Sequence, residues 1–151
     1  MRTNSTLYAE DFYNWCLNTA ALIRAGKWRD IDADALAEEI ESMARRDKRE
    51  LASRIHQLVL HLLKWRYQPE AHQYYGRSWR NTINVQRAEL ELLLQDNPSL
   101  RPQLPEVLAE RYPKARKHAS DETEKPLDTF PDVCPWTVEQ ILDDDFWPAG
   151  A

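Results

Sequence analysis

Glycine is scarce in this chain, three in 151 residues, and cysteine is scarcer still at two. Phosphate-cradling loops need closely spaced glycines so that backbone can approach an anion. No G-x-G-x-x-G turn or P-loop exists here, and nucleotide folds are disfavoured. Cys16 and Cys134 belong to no C-x-x-C pair. That speaks against a zinc knuckle or disulfide framework and for a reducing compartment. The histidines, His56, His61, His72 and His118, fall in neither the E-x-x-H spacing of di-iron bundles nor the H-E-x-x-H of zinc proteases. No metal and no cofactor is therefore expected. Nor is there a G-x-S-x-G elbow, or a local setting that would activate either thiol. No residue is assigned a catalytic role, and the reading leans away from an enzyme.

Long apolar runs are missing too. The longest uncharged apolar-rich stretch, Phe12 to Ile23, is too short to cross a bilayer, and Met1 to Tyr8 lacks the core of a signal peptide. The formal charge of −5 weighs against a dedicated nucleic-acid binder. These absences together predict a cytoplasmic protein with no membrane association.

What is present is bulk and helical period. Six Trp, six Tyr and three Phe supply core material for one domain of this length. Tyr8, Phe12, Trp15, Cys16, Thr19, Leu22 and Ile23 recur at three- and four-residue steps, and Gly26 suits the helix end that follows. From Ile31 to Gln68 there is neither Pro nor Gly. Asp32 is placed to cap this segment, Ile31 and Leu36 are spaced as a hydrophobic staple, and Pro69 stops it. Its core face reads Leu36, Ile40, Met43, Leu51, Ile55, Leu58, Leu62 and Trp65.

Gln68 to Arg77 reads as a connector, with Ser78 as the next N-cap. Trp79, Ile83, Leu90, Leu93 and Leu94 carry a third helix, and a fourth begins near Leu104, with Pro113 expected to kink or split it. Asp121 to Cys134 reads as a loop. Thr137 and Gln140 make a capping box for a short last helix, and Trp136 with Ile141 a second staple. Asp143 to Asp145 mark its end, and Phe146 and Trp147 are expected to fold back onto the body. The expected fold is a single all-α domain over 1–151, its ordered body about 8–148. It is a bundle of four main helices plus a short C-terminal one, with one long central helix.

Polar residues interrupt the long helix where its own pattern forbids them. At about 100° per residue, Asp47, Arg54, His61 and Trp65 fall within roughly 40° of one another, and Glu50 precedes Arg54 by one turn. Glu39, Asp47, Glu50, Arg54, His61, Trp65 and Trp79 thus form a candidate polar cleft for a small anion or acid/base chemistry. Against this stands an ordinary satisfied network at a helix crossing. The basic run Arg45, Arg46, Lys48 and Arg49 scatters around the helix, with Glu41 one turn before Arg45, and reads as a solvated face. Weak nucleic-acid binding through it is the lesser alternative. Tyr74, Tyr75, Phe146 and Trp147 are a candidate partner surface, since aromatic side chains dominate interface energies.

Five segments occur in order: Leu36-Ala37-Glu38-Glu39-Ile40-Glu41-Ser42; His61-Leu62-Leu63-Lys64-Trp65 with Tyr67-Gln68-Pro69; Ser78-Trp79; Asn97-Pro98-Ser99-Leu100; and Asp145-Phe146-Trp147-Pro148. Together they resemble the bacterial family catalogued as domain of unknown function 29, over about Tyr8 to Pro148. The resemblance implies a short, helical, cytoplasmic protein with signature elements at Glu38-Glu39-Glu41, His61 to Trp65 and Ser78-Trp79. It carries over no catalytic residue. The leading expectation is a non-enzymatic interaction or accessory protein whose partner is another protein.

Overall fold

The computed structural model describes residues 2–149. Among them are six α-helices and no strand: α1 (Asn4–Glu10), α2 (Phe12–Arg24), α3 (Ala33–Tyr67), α4 (His72–Asp96), α5 (Leu104–Thr123) and α6 (Val138–Leu142). The all-α class and the long helix are as the sequence implies. The chain divides into two compact units, one ending at Arg46 and the other beginning at Asp47. The division falls inside α3.

In the N-terminal unit, Asp11 separates α1 from α2. It leaves helical geometry at φ −149°, and its carboxylate accepts from the Asn14 N–H at 3.1 Å, restarting the helix. At the far end of α2, Gly26 takes φ +70°. That lets Lys27 N–H reach the Leu22 carbonyl at 2.9 Å and Gly26 N–H reach Ile23 at 3.0 Å, a Schellman closure. Asp32 caps α3 as its position implied, accepting from the Ala35 N–H at 3.0 Å. Asn4 ties these pieces together. Its buried amide donates to Asn18 and Thr19 and accepts from the Trp15 indole at 3.3 Å and the Asp32 N–H at 2.9 Å.

The C-terminal unit holds the main hydrophobic core. Leu51, Ile55, Leu58 and Leu62 of α3 pack with Ile83, Leu90 and Leu94 of α4 and with Leu104, Tyr112, Ala115 and Ala119 of α5. Each such aliphatic chain, fully removed from water, contributes about 1.5–3 kcal/mol before entropy is counted. Phe130 and Ile141 close the cluster from the loop and from α6. The Thr137–Gln140 capping box that starts α6 forms as expected.

Four expectations need correction. Gln68 to Arg77 is not a connector, because a 3-10 turn at Pro69–Ala71 leads directly into α4 at His72. Ser78 is consequently inside α4 and caps nothing. Pro113 does not split α5, which runs unbroken through it. The proline is exposed, and a single missing N–H on the wet side of a well-packed helix is tolerated. Finally, Ile40 and Met43 were expected in the core, yet they are 55% and 51% exposed. The apolar stripe of α3 continues past the point where it has a core to face.

Candidate functional site

The exposed end of that stripe is one wall of a groove. In the N-terminal unit, Phe12, Cys16 and Ile23 of α2 face Leu36, Ile40 and Met43 of α3 across a cavity of about 370 Å³, with Trp15 and Thr19 at its floor and Arg46 among its lining. Phe12 is 50% exposed, and Phe12, Tyr8 and Trp15 pack on one another with ring centres 4.8–6.4 Å apart. Glu39, on the same side of α3, accepts from the Tyr8 hydroxyl at 2.7 Å. That hydrogen bond to a carboxylate, with partial burial, pushes the Tyr8 phenol up to about 12. Glu39 is thus occupied within its own unit by a tyrosine.

In the C-terminal unit, residues far apart in sequence meet around Trp65. The α3–α4 turn places His72 against it, with ring centres 4.2 Å apart and the His72 Nε2–H donating to the Trp65 carbonyl at 2.8 Å. Trp147 returns from the C-terminus to lie 4.9 Å from Trp65. Arg80 stacks over both indoles, its guanidinium 5.5 Å from Trp65 and 5.4 Å from Trp147. Trp79 meets His72 edge-on and stacks with Tyr75, and Lys64 sits over its face at 5.5 Å. Trp65, His72, Gly76, Arg77 and Arg80 line a cavity of about 380 Å³.

The tail that delivers Trp147 is held by Arg87, which is 2% exposed. Its Nε–H donates to the Ile141 carbonyl at 2.8 Å and Nη2–H to the Phe146 carbonyl at 2.8 Å, while Trp147 covers it at 5.4 Å. Its remaining terminal nitrogen, Nη1, is buried without a partner. Nothing in the local sequence singles Arg87 out. Its position in phase with Ile83, Leu90 and Leu94 was the available signal.

The segments meeting here include those on which the sequence resembles a known family. A family model described as Domain of unknown function DUF29 matches residues 7–147. The chain belongs to that family. No curated protein and no solved structure matches it. In this DUF29 chain, Trp65, Trp79 and Trp147 come from three segments far apart in sequence, and packing makes them one cluster.

The remaining cleft residues are dispersed. Arg54 donates to Glu50 at 2.9 Å and to Gln86 at 3.3 Å, and lies 3.7 Å from Glu89. His61 is occupied differently, its Nδ1–H donating to the Gln57 carbonyl at 2.7 Å. Burial draws the His61 imidazole below its ordinary value, although the Gln57 carbonyl opposes this. Asp47 is half-buried near the start of the unit. The cavities described above are lined by other residues. Of the aromatic surface, Tyr74 and Tyr75 are 75% and 58% exposed, whereas Phe146 and Trp147 are half-buried against the body.

A histidine pair, His56 of α3 and His118 of α5, is joined by packing across 62 residues of sequence. Arg111 Nη2 lies 3.0 Å from His56 Nδ1, His56 Nε2 lies 3.2 Å from His118 Nδ1, and His118 Nε2 lies 3.1 Å from Glu122. Arginine can only donate, so His56 Nδ1 accepts and every later step is fixed: His56 donates to His118, and His118 donates to Glu122. Lys64 completes the chain, donating to Glu122 at 2.6 Å. Burial, then the Arg111 charge, hold His56 below the usual imidazole range. For Glu122, burial pulls upward, but the Lys64 hydrogen bond and charge win and lower it. Arg111, Ala115 and His118 share a helical phase, which was the only sign available in the sequence.

Proposed function

We propose that this DUF29 protein is a non-enzymatic interaction module whose N-terminal unit takes an amphipathic helix of another protein into the groove between α2 and α3. The observation that carries this reading is the row of exposed apolar side chains on two facing helices, Phe12, Cys16 and Ile23 against Ile40 and Met43. Two helices bury a stripe each most completely when a third lies in the furrow between them, and helix-in-groove recognition uses anchors at i, i+3, i+4 and i+7. Glu39 is already engaged by Tyr8, which leaves Arg46 as the charge at the groove that calls for a partner. The occupant is accordingly an apolar-faced helix with a carboxylate set toward Arg46. The exposed Tyr74 and Tyr75 offer contact area for the same role in the C-terminal unit. A cytoplasmic setting fits two free thiols.

The nucleic-acid alternative is weaker, because Arg45 is held by Glu38 at 2.7 Å and Glu41 at 3.8 Å. The acid/base alternative is weaker too, because Arg54 is held by Glu50 and Gln86. The test is a selection from a library of amphipathic helical peptides on the intact protein, with Ile40→Glu as counter-selection. Enriched peptides should shift the methyl resonances of Ile23, Ile40 and Met43. The reading fails if enriched peptides leave those methyls unmoved. It fails equally if light scattering shows a dimer that Ile40→Glu dissociates, since the groove would then belong to a second copy.

A further inference from the structure

We infer that the cavity beside Trp65 in the C-terminal unit is a binding site for a small oxyanion, a phosphate or carboxylate joined to a flat apolar body. Its cationic groups are Arg77 and Arg80, one turn apart near the start of α4, and no described carboxylate lies within 4 Å of either. Elsewhere in the unit the guanidinium and ammonium groups of Arg54, Lys64, Arg116 and Lys125 all have acidic partners within that distance. Arg77 and Arg80 have no such partner among the described residues, and they share one cavity.

The face of Arg80 is taken up by Trp65 and Trp147. Stacking fixes the plane of a guanidinium while leaving its in-plane N–H fork available for the two oxygens of a carboxylate or phosphate. The arginine is thereby held ready, and little side-chain freedom remains to be lost on binding. Gly76 contributes no side chain where the cavity meets α4.

A volume of about 380 Å³ exceeds what a bare oxyanion occupies and falls within the usual range for small-ligand pockets. Its other walls, the Trp65 indole and the His72 imidazole, suit a flat body rather than a flexible polar one. With Nε2–H given to the Trp65 carbonyl, His72 Nδ1 has no protein partner and can accept from a ligand N–H. Because this cavity and the groove share no lining residue, the proposal does not depend on the interaction reading.

The experiment is a titration of the intact protein with inorganic phosphate, adenosine 5′-monophosphate and benzoate, read by tryptophan fluorescence and by the side-chain Nε–H resonances of Arg77 and Arg80. At least one ring-bearing anion should saturate and shift both arginine signals, with inorganic phosphate competing more weakly. A response to the nucleotide alone assigns a phosphate, and a response to benzoate alone assigns a carboxylate. Arg80→Gln and, separately, Arg77→Gln should each weaken binding roughly tenfold, the worth of one charge-assisted contact. Arg101→Gln, outside the cavity, should leave it unchanged. The proposal is overturned if all three probes give no saturable response, or if Arg77→Gln, with unaltered circular dichroism, binds as tightly as the parent.

Discussion

Replacing Arg87 with methionine keeps most of the side-chain stem while removing both hydrogen bonds that hold the C-terminal tail. The carbonyls of Ile141 and Phe146 each accept from the guanidinium at 2.8 Å. A carbonyl left unpaired in a buried setting costs about 1–3 kcal/mol, which sets a range of about 2–6 kcal/mol for two. Two effects pull the other way. The charged guanidinium itself is desolvated, which is why burial lowers its pKa despite Asp144 and Asp143 nearby, and its Nη1 is unpartnered. The tail can also shift to reach water. A net loss of about 2–4 kcal/mol is expected, or a fall in Tm of roughly 4–16 °C for a protein of this size. Differential scanning calorimetry gives the magnitude. Tryptophan emission gives the location, because Trp147 should become wetter and its spectrum should move to longer wavelength. A variant within about 0.5 kcal/mol of the parent, with unshifted emission, would refute the claim that Arg87 holds the tail.

Lowering the pH from neutral should destabilise the C-terminal unit. His56 and His61 are depressed in the folded protein, so the unfolded chain binds more protons once pH falls through about 6.5, the ordinary imidazole value. The loss accumulates until their folded pKa values are passed, and a second loss begins lower, where the depressed Glu122 carboxyl is protonated. Urea midpoints at pH 7.5 and pH 5.5 check this, and equal midpoints would contradict it. Gly26→Ala should cost roughly 1–2 kcal/mol, because φ +70° forces the new Cβ against the following carbonyl. Urea unfolding followed by helical circular dichroism measures it, and an unchanged curve would mean the α2 terminus relaxes freely. Ile40→Glu and Met43→Glu should alter stability by no more than about 0.5 kcal/mol, since both side chains already face water. A large loss in either would mean that the groove is core.

Local signals in the chain were a good guide where the chemistry is local. Asp32 as a cap, Gly26 as a helix end and the Thr137–Gln140 box depend on neighbours within four residues, and all are found. Ser78 misled because serine before an apolar run looks like an N-cap, while Pro69–Ala71 had already nucleated α4 upstream. Periodicity shows which residues of α3 share a face, but not whether anything covers that face. Ile40, Met43 and Leu51 are alike in pattern, yet only Leu51 is buried. The Arg111–His56–His118–Glu122 chain joins α3 to α5, and the cluster around Trp65 draws on α3, α4 and the tail. Contacts of that kind are set by tertiary packing and leave no spacing rule in a single sequence.

In-cell photo-crosslinking from a benzoylphenylalanine at Ile40 bears most directly on the groove as a recognition surface. One discrete adduct should form, its cross-linked peptide an amphipathic helix of a different protein, and it should vanish when the probe is moved to the exposed Val85 on α4. The same indiscriminate products from both positions, or none from Ile40, would contradict the account.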